Sequence, residues 1–98
     1  MLTREEFAER FRAASKQFWV VAVAIVRDGG LAEDVVQEAA IVALAKLDQF
    51  EEGTSFEAWM SQIVRFTALN ANRKKARRGD GGDPQALERK ESRTGPGD

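Results

Sequence analysis

Ala32-Glu33-Asp34-Val35-Val36-Gln37-Glu38 reads as about two turns of an amphipathic helix, and the rest of the chain falls into place around it. Val35, Val36 and Ala39, continued by Val42, Ala43 and Leu47, recur at helical spacing, which predicts a helix from about Leu31 to Leu47 with those residues inward. Asp34, Gln37 and Glu38 fall on the opposite, outward face. Downstream lies an aromatic connection, Gln49-Phe50-Glu51-Glu52-Gly53, and then a Trp-bearing segment that ends Arg73-Lys74-Lys75-Ala76-Arg77-Arg78. One small helical unit therefore carries an acidic face and a basic face, suited to different partners.

The formal net charge of −1 hides this division. From Asp28 to Glu57 the acids Asp28, Glu33, Asp34, Glu38, Asp48, Glu51, Glu52 and Glu57 stand against the single base Lys46. From Ala58 to Gly79 there are Arg65, Arg73, Lys74, Lys75, Arg77 and Arg78 and no acid. A pI near 5.5 would argue against nucleic acid if charge were spread evenly. A phosphate feels only the field within about 8–10 Å, so the local count decides.

Ninety-eight residues allow one domain, near the lower size at which an apolar core holds a fold without staples. The absence of cysteine and histidine excludes disulfides, thiolate nucleophiles, zinc sites of the usual ligand types and imidazole acid–base chemistry. No metal or cofactor is expected. The longest apolar run, Phe18 to Val26, is too short to span a bilayer. Arg4, Glu5, Glu6 and Glu9 precede it, unlike a signal peptide, so a cytoplasmic location without membrane contact is the expectation.

Upstream, Thr3-Arg4-Glu5-Glu6 has the form of a capping box, with Leu2 and Phe7 placed for a hydrophobic staple. Phe7, Phe11, Ala14, Phe18, Val21 and Ile25 then make one apolar stripe, predicting a single first helix that ends at Asp28-Gly29-Gly30. Thr54-Ser55-Phe56-Glu57 reads as a second capping box opening the third helix, whose core stripe is Phe56, Met60, Ile63, Val64 and Thr67. Gln62, Arg65, Leu69, Asn72 and Arg73 lie on another face of that helix. The predicted fold is all-α, a compact bundle of three to four helices, the last one open to a break. Its expected core is Phe7, Phe11, Phe18, Ile25, Val35, Ala39, Val42, Leu47, Phe56, Met60 and Ile63. The helical domain spans residues 1–78, and residues 79–98, rich in Gly, Asp and Pro, have the composition of a linker or disordered tail.

Ile41 points to the middle of the polar face of the second helix, with Leu44 beside Gln37. Either another segment covers Ile41, or it is one of the apolar residues every surface carries, or it centres a protein-binding patch with a polar rim. The bases near Arg77 and Arg78 suit the negative end of a helix, but an acid-free stretch that long suits phosphate better. Asn70 and Asn72 are candidate hydrogen-bonding partners for bases or phosphates. Phe50, Trp59 and Phe66 are candidate stacking rings for a single strand, and equally candidates for the core. About four bases engaged on a single strand would give a salt slope near −3.

Taken in order, Ala32 to Glu38, Leu47-Asp48-Gln49-Phe50, Gly53-Thr54-Ser55-Phe56, Ala58-Trp59-Met60, Ile63-Val64-Arg65 and the basic end resemble region 2 of bacterial sigma factors, closest to the extracytoplasmic-function (ECF, group 4) class. The resemblance covers roughly Phe7 to Arg78. It implies a non-enzymatic promoter-specificity module for transcription initiation. By resemblance, Asp34, Gln37 and Glu38 dock on the clamp coiled coil of the largest RNA polymerase subunit, and the face argument adds Ile41 and Leu44. The resemblance further implies that the loop Phe50, Gly53, Thr54, Ser55 and Phe56, with Gln62, Arg65, Phe66 and Arg73 of the following helix, reads the promoter −10 element. There it would trap a flipped base of the non-template strand. Where family members commonly carry Asn after an Ile-Ala-Arg segment, this chain has Phe66, so promoter sequence does not transfer. Gln62 and Ile63 stand where housekeeping members place an aromatic melting wedge, which implies a weaker melter. No second helical domain for the −35 element follows, which fits a fragment of a longer protein or a stand-alone region 2.

An anti-sigma factor is a further candidate partner. The competing function is an interaction protein, either a decoy that occupies the polymerase clamp or an anti-sigma partner without promoter activity. It would keep the outward face of the second helix and lose selective DNA binding. Asp34 and Glu38 one turn apart on an exposed face, with no pocket implied, make a poor acid–base pair, so no enzyme is expected.

Overall fold

A computed structural model of the chain describes residues 1–77. Four α-helices run in order: α1 (Arg4–Ala13), α2 (Ser15–Val26), α3 (Gly29–Ala45) and α4 (Phe56–Arg77), with a 3₁₀ turn at Leu47–Gln49 before α4. α2, α3 and α4 pack on one another, and α1 lies across them with fewer contacts. The expected all-helical bundle is the fold found.

Local chemistry sets most boundaries. Thr3 Oγ1 accepts the Glu6 amide at 3.1 Å while Glu6 Oε1 accepts the Thr3 amide at 2.9 Å, completing the expected capping box. The first helix is nevertheless two helices, broken at Ala14 (φ −110°, ψ 11°). Tertiary packing supplies the reason. The rings of Phe7 and Phe18 have centroids 5.7 Å and 6.3 Å from that of Phe56. Those two rings are then at most about 12 Å apart, whereas eleven residues of straight helix span roughly 16 Å. The break lies between two residues whose rings both rest on Phe56, and the bend brings them closer together than the straight backbone span.

Asp28-Gly29-Gly30, expected to end a helix, begins one. Asp28 Oδ1 accepts the Leu31 amide at 3.0 Å as the N-cap of α3. The left-handed residue closing α2 is Arg27 (φ 58°), whose amide donates to the Val23 carbonyl at 2.8 Å. A long-range bond closes the same corner: Asn72 Nδ2 donates to the Ile25 carbonyl at 2.9 Å, tying the far end of α4 to the end of α2. The last helix, which the sequence left open to a break, runs unbroken over its described residues to Arg77.

The expected capping box at Thr54 is shifted by one residue. Ser55 is the cap, its Oγ accepting the Ala58 amide at 3.1 Å. Thr54 instead closes the turn before it, its amide and hydroxyl both donating to the Glu51 carbonyl. Gly53 takes φ 89° in that turn, a conformation that glycine adopts without strain.

Phe18, Met60 and Val64 are fully buried at the centre. Of the expected core, Phe7, Val35, Ala39 and Phe56 are also buried, while Phe11, Ile25, Val42, Leu47 and Ile63 are half-buried. Small residues share the core: besides the expected Ala39, Ala22, Ala32, Ala43 and Ala68 are all buried. Six rings, Phe7, Phe11, Phe18, Phe50, Phe56 and Trp59, form a continuous chain of stacked and edge-on contacts from α1 to the start of α4.

Candidate functional site

Two surfaces carry the predicted residues. On α4 the core side is taken by Phe56, Met60, Val64, Thr67 and Ala68. The opposite side presents Gln62, Arg65, Phe66, Leu69 and Arg73 to solvent, with the Phe66 ring 64% exposed. At the N-terminal end of this stripe, Thr54, Ser55, Ala58, Trp59 and Gln62 line a cavity of about 290 Å³. Its wall combines the half-buried indole of Trp59 with two hydroxyls and the Gln62 side-chain amide. That mixture offers a stacking surface and hydrogen-bonding groups to one planar polar ring.

The aromatic loop itself plays a different part from the one expected. Phe50 is only 7% exposed, its ring centroid 5.3 Å from Trp59 and 6.1 Å from Phe56. Phe50 and Phe56 are therefore core residues that back the cavity, and neither ring is offered to a ligand. Gly53, Thr54 and Ser55 are exposed. Both hydroxyls are engaged in the turn and the helix cap, and each keeps acceptor capacity.

Two asparagines are also reassigned. The amide of Asn72 is spent on Ile25, away from the exposed stripe. Asn70 is exposed, and its Oδ1 accepts from Arg73 Nη2, which steadies the guanidinium along the helix. Arg78 lies outside the described residues, as do the domain boundary after it and the tail.

The second surface is the outer face of α3. Asp34, Gln37 and Glu38 are exposed around Ile41, which at 69% exposure is covered by no described segment. Leu44 departs from expectation, since it is half-buried and packs against the core. One neighbour escaped the sequence. Trp19, 37% exposed on α2, lines a largely apolar cavity of about 370 Å³ with Lys16, Glu33, Val36 and Gln37. Its place just off the Phe18 stripe was the available signal.

The two surfaces are not fully separate. Asp34 and Glu38 on α3 and Lys74 and Lys75 on α4 line opposite banks of one cavity of about 290 Å³. The bases of α4 thus divide, with Arg65 and Arg73 on the outer stripe and the two lysines on the side turned toward α3.

No described helix is long and apolar enough to cross a membrane. No solved structure matches the chain. Among protein families, residues 8–78 match the one described as Sigma-70 region 2, a stretch that takes in all of α2 and α3 and the described length of α4.

Proposed function

Since the chain belongs to the sigma-70 region 2 family of non-enzymatic transcription-initiation domains, we propose that it is the promoter-recognition module of an ECF-type sigma factor. It docks on the clamp coiled coil of the largest RNA polymerase subunit through Asp34, Gln37, Glu38 and Ile41. It binds the unpaired −10 non-template strand along Thr54, Ser55, Trp59, Gln62, Arg65, Phe66 and Arg73. The observation that carries this reading is the cavity between the loop and Trp59 at the foot of an exposed stripe of ring and guanidinium groups. One extruded base fits its chemistry, and bases beside it stack on Phe66 while the arginines hold phosphates.

The mechanism is differential binding. A surface that holds unpaired bases better than paired ones shifts the equilibrium of the promoter toward the open strand, so no covalent step is needed. Phe66 offers an apolar stacking face where a hydrogen-bonding side chain would read base edges, so its contribution is affinity for the single strand.

The test is a pair of double variants. Asp34→Ala with Glu38→Ala should weaken binding to the cognate core polymerase and leave single-stranded oligonucleotide binding unchanged. Arg65→Ala with Arg73→Ala should do the reverse, with wild type preferring single strand to duplex. Equal effects of both pairs on both ligands would overturn the assignment of faces. Polymerase binding without any preference for single-stranded DNA would favour the clamp-occupying decoy.

A further inference from the structure

We propose that Lys74 and Lys75 belong to the polymerase-docking surface and not to the DNA surface, so that the docking site is a groove with one acidic and one basic bank. This inference rests on the proposed docking role of α3. The observation is the cavity of about 290 Å³ between α3 and α4, lined by Asp34 and Glu38 of α3 and by Lys74 and Lys75 of α4, with the buried Val35 and Thr67 also in its wall.

Helix geometry separates these lysines from the arginines. Lys75 follows Ala71, Ala68 and Val64 by four, seven and eleven residues, so it continues the core-facing row of α4 beyond the end of the core, and it is half-buried. Lys74 follows Asn70 and Thr67 by four and seven residues, which sets it on the edge toward α3. Successive residues are rotated by about 100°, so Lys74 and Lys75 stand about one and two such steps round the helix from Arg73. A strand that lies along Gln62, Phe66 and Arg73 has the body of α4 between itself and Lys75.

Charge excludes the simple alternative of a phosphate in the groove. A phosphate reaching Lys74 and Lys75 there would also face the carboxylates of Asp34 and Glu38. No contact ion pair closes the groove: the ion pair among the described residues joins Met1 to Glu52, and the facing charges keep their capacity for a ligand. The occupant must bring both signs, a cation toward Asp34 and Glu38 and an anion toward Lys74 and Lys75. A helix with an acid and a base one turn apart on one face does so, and such pairs are a common means of stabilising exposed helices. Ile41 follows Glu38 by about one turn of α3, so a clamp helix that buries Ile41 also reaches the acidic bank, with the lysines facing it across the groove.

The experiment compares Lys74→Gln/Lys75→Gln, the charge-retaining Lys74→Arg/Lys75→Arg and the Asp34→Ala/Gln37→Ala/Glu38→Ala triple variant in the full chain. Each is titrated against core RNA polymerase and against a random-sequence single-stranded DNA oligonucleotide. The glutamine variant should bind polymerase about fivefold more weakly, as expected for two exposed charge pairs, and bind DNA within twofold of wild type. The arginine variant should restore polymerase binding. Weakened DNA binding with intact polymerase binding, equal loss of both, or no change in either would each overturn the proposal. Lys74→Gln alone, at an exposed position, repeats the comparison should the double variant fold poorly. If the triple variant keeps full polymerase affinity, the docking role of α3 itself fails. If the triple variant loses affinity and the lysine variants do not, only the basic bank is refuted.

Discussion

At the scale of single residues, the bonds that matter most join distant parts of the chain. Asn72 donates to a carbonyl 47 positions away, at the last turn of α2. Asn72→Ala leaves that carbonyl without its partner and should cost about 1 kcal/mol. In a domain this small the thermal midpoint should fall by roughly 4–8 °C, read by circular dichroism. A second tether is the α-amine of Met1, 2.7 Å from Glu52 Oε2 in the loop before α4. The hydrogen bond to Glu52, with its charge, raises the pKa of the amine. The same contact lowers that of Glu52. The depressed carboxylate contributes above its unfolded pKa and stops as pH falls through its folded value. The raised amine contributes below its unfolded pKa and stops as pH rises through its folded value. The tether therefore operates between the two folded values. Amide shifts of Gly53 and Thr54 in NMR should titrate at both ends in wild type, and Glu52→Gln should abolish both titrations.

At the scale of elements, periodicity disclosed the helices, and local chemistry disclosed the start of α1. Ala14 carries no breaking signal, because alanine is the best helix former and the apolar stripe runs straight through it. The bend there falls between two residues that both pack on Phe56, and a partner 42 positions downstream of Ala14 is invisible to any local rule. Likewise Thr54 and Ser55 compete for one cap: Thr54 satisfies the capping-box motif on paper, with Glu57 three residues on, yet Ser55, with Ala58 at that position, is the cap. The two are separable experimentally. Ser55→Ala should destabilise by about 1 kcal/mol in urea unfolding, and Thr54→Ala, which lets go of a turn carbonyl, by less. Phe50 was legible as an aromatic in a loop but not as a buried one. Its fate depends on Trp59 and Phe56 converging on it, which only the turn at Gly53 permits.

At the scale of the whole molecule, the segregation of charge along the sequence was plain, and its arrangement in space was only half so. Counting bases along a segment takes no account of which side of α4 they occupy. Arg65, Arg73 and Arg77 are exposed, whereas Lys74 and Lys75 share a groove with acids. The salt dependence of single-strand binding measures the difference. Three arginines on phosphates give a slope of log K against log salt near −2, and adding both lysines would bring it to roughly −3.5. A titration of a pyrimidine-rich oligonucleotide between low and physiological salt separates these values, and the shallower one is expected.

The chain contains two tryptophans, and the fold has placed one beside each surface: Trp19 lines the cavity that adjoins Gln37, and Trp59 walls the cavity at the foot of the α4 stripe. Each indole is partly open to solvent, so each emits from an environment that an arriving ligand changes. The protein thus carries two built-in optical reporters, one beside each of the two proposed surfaces. With Trp19→Phe, emission should respond to nucleic acid alone; the untouched chain, presented with polymerase and then with DNA, should give two separable signals whose order records which partner arrives first.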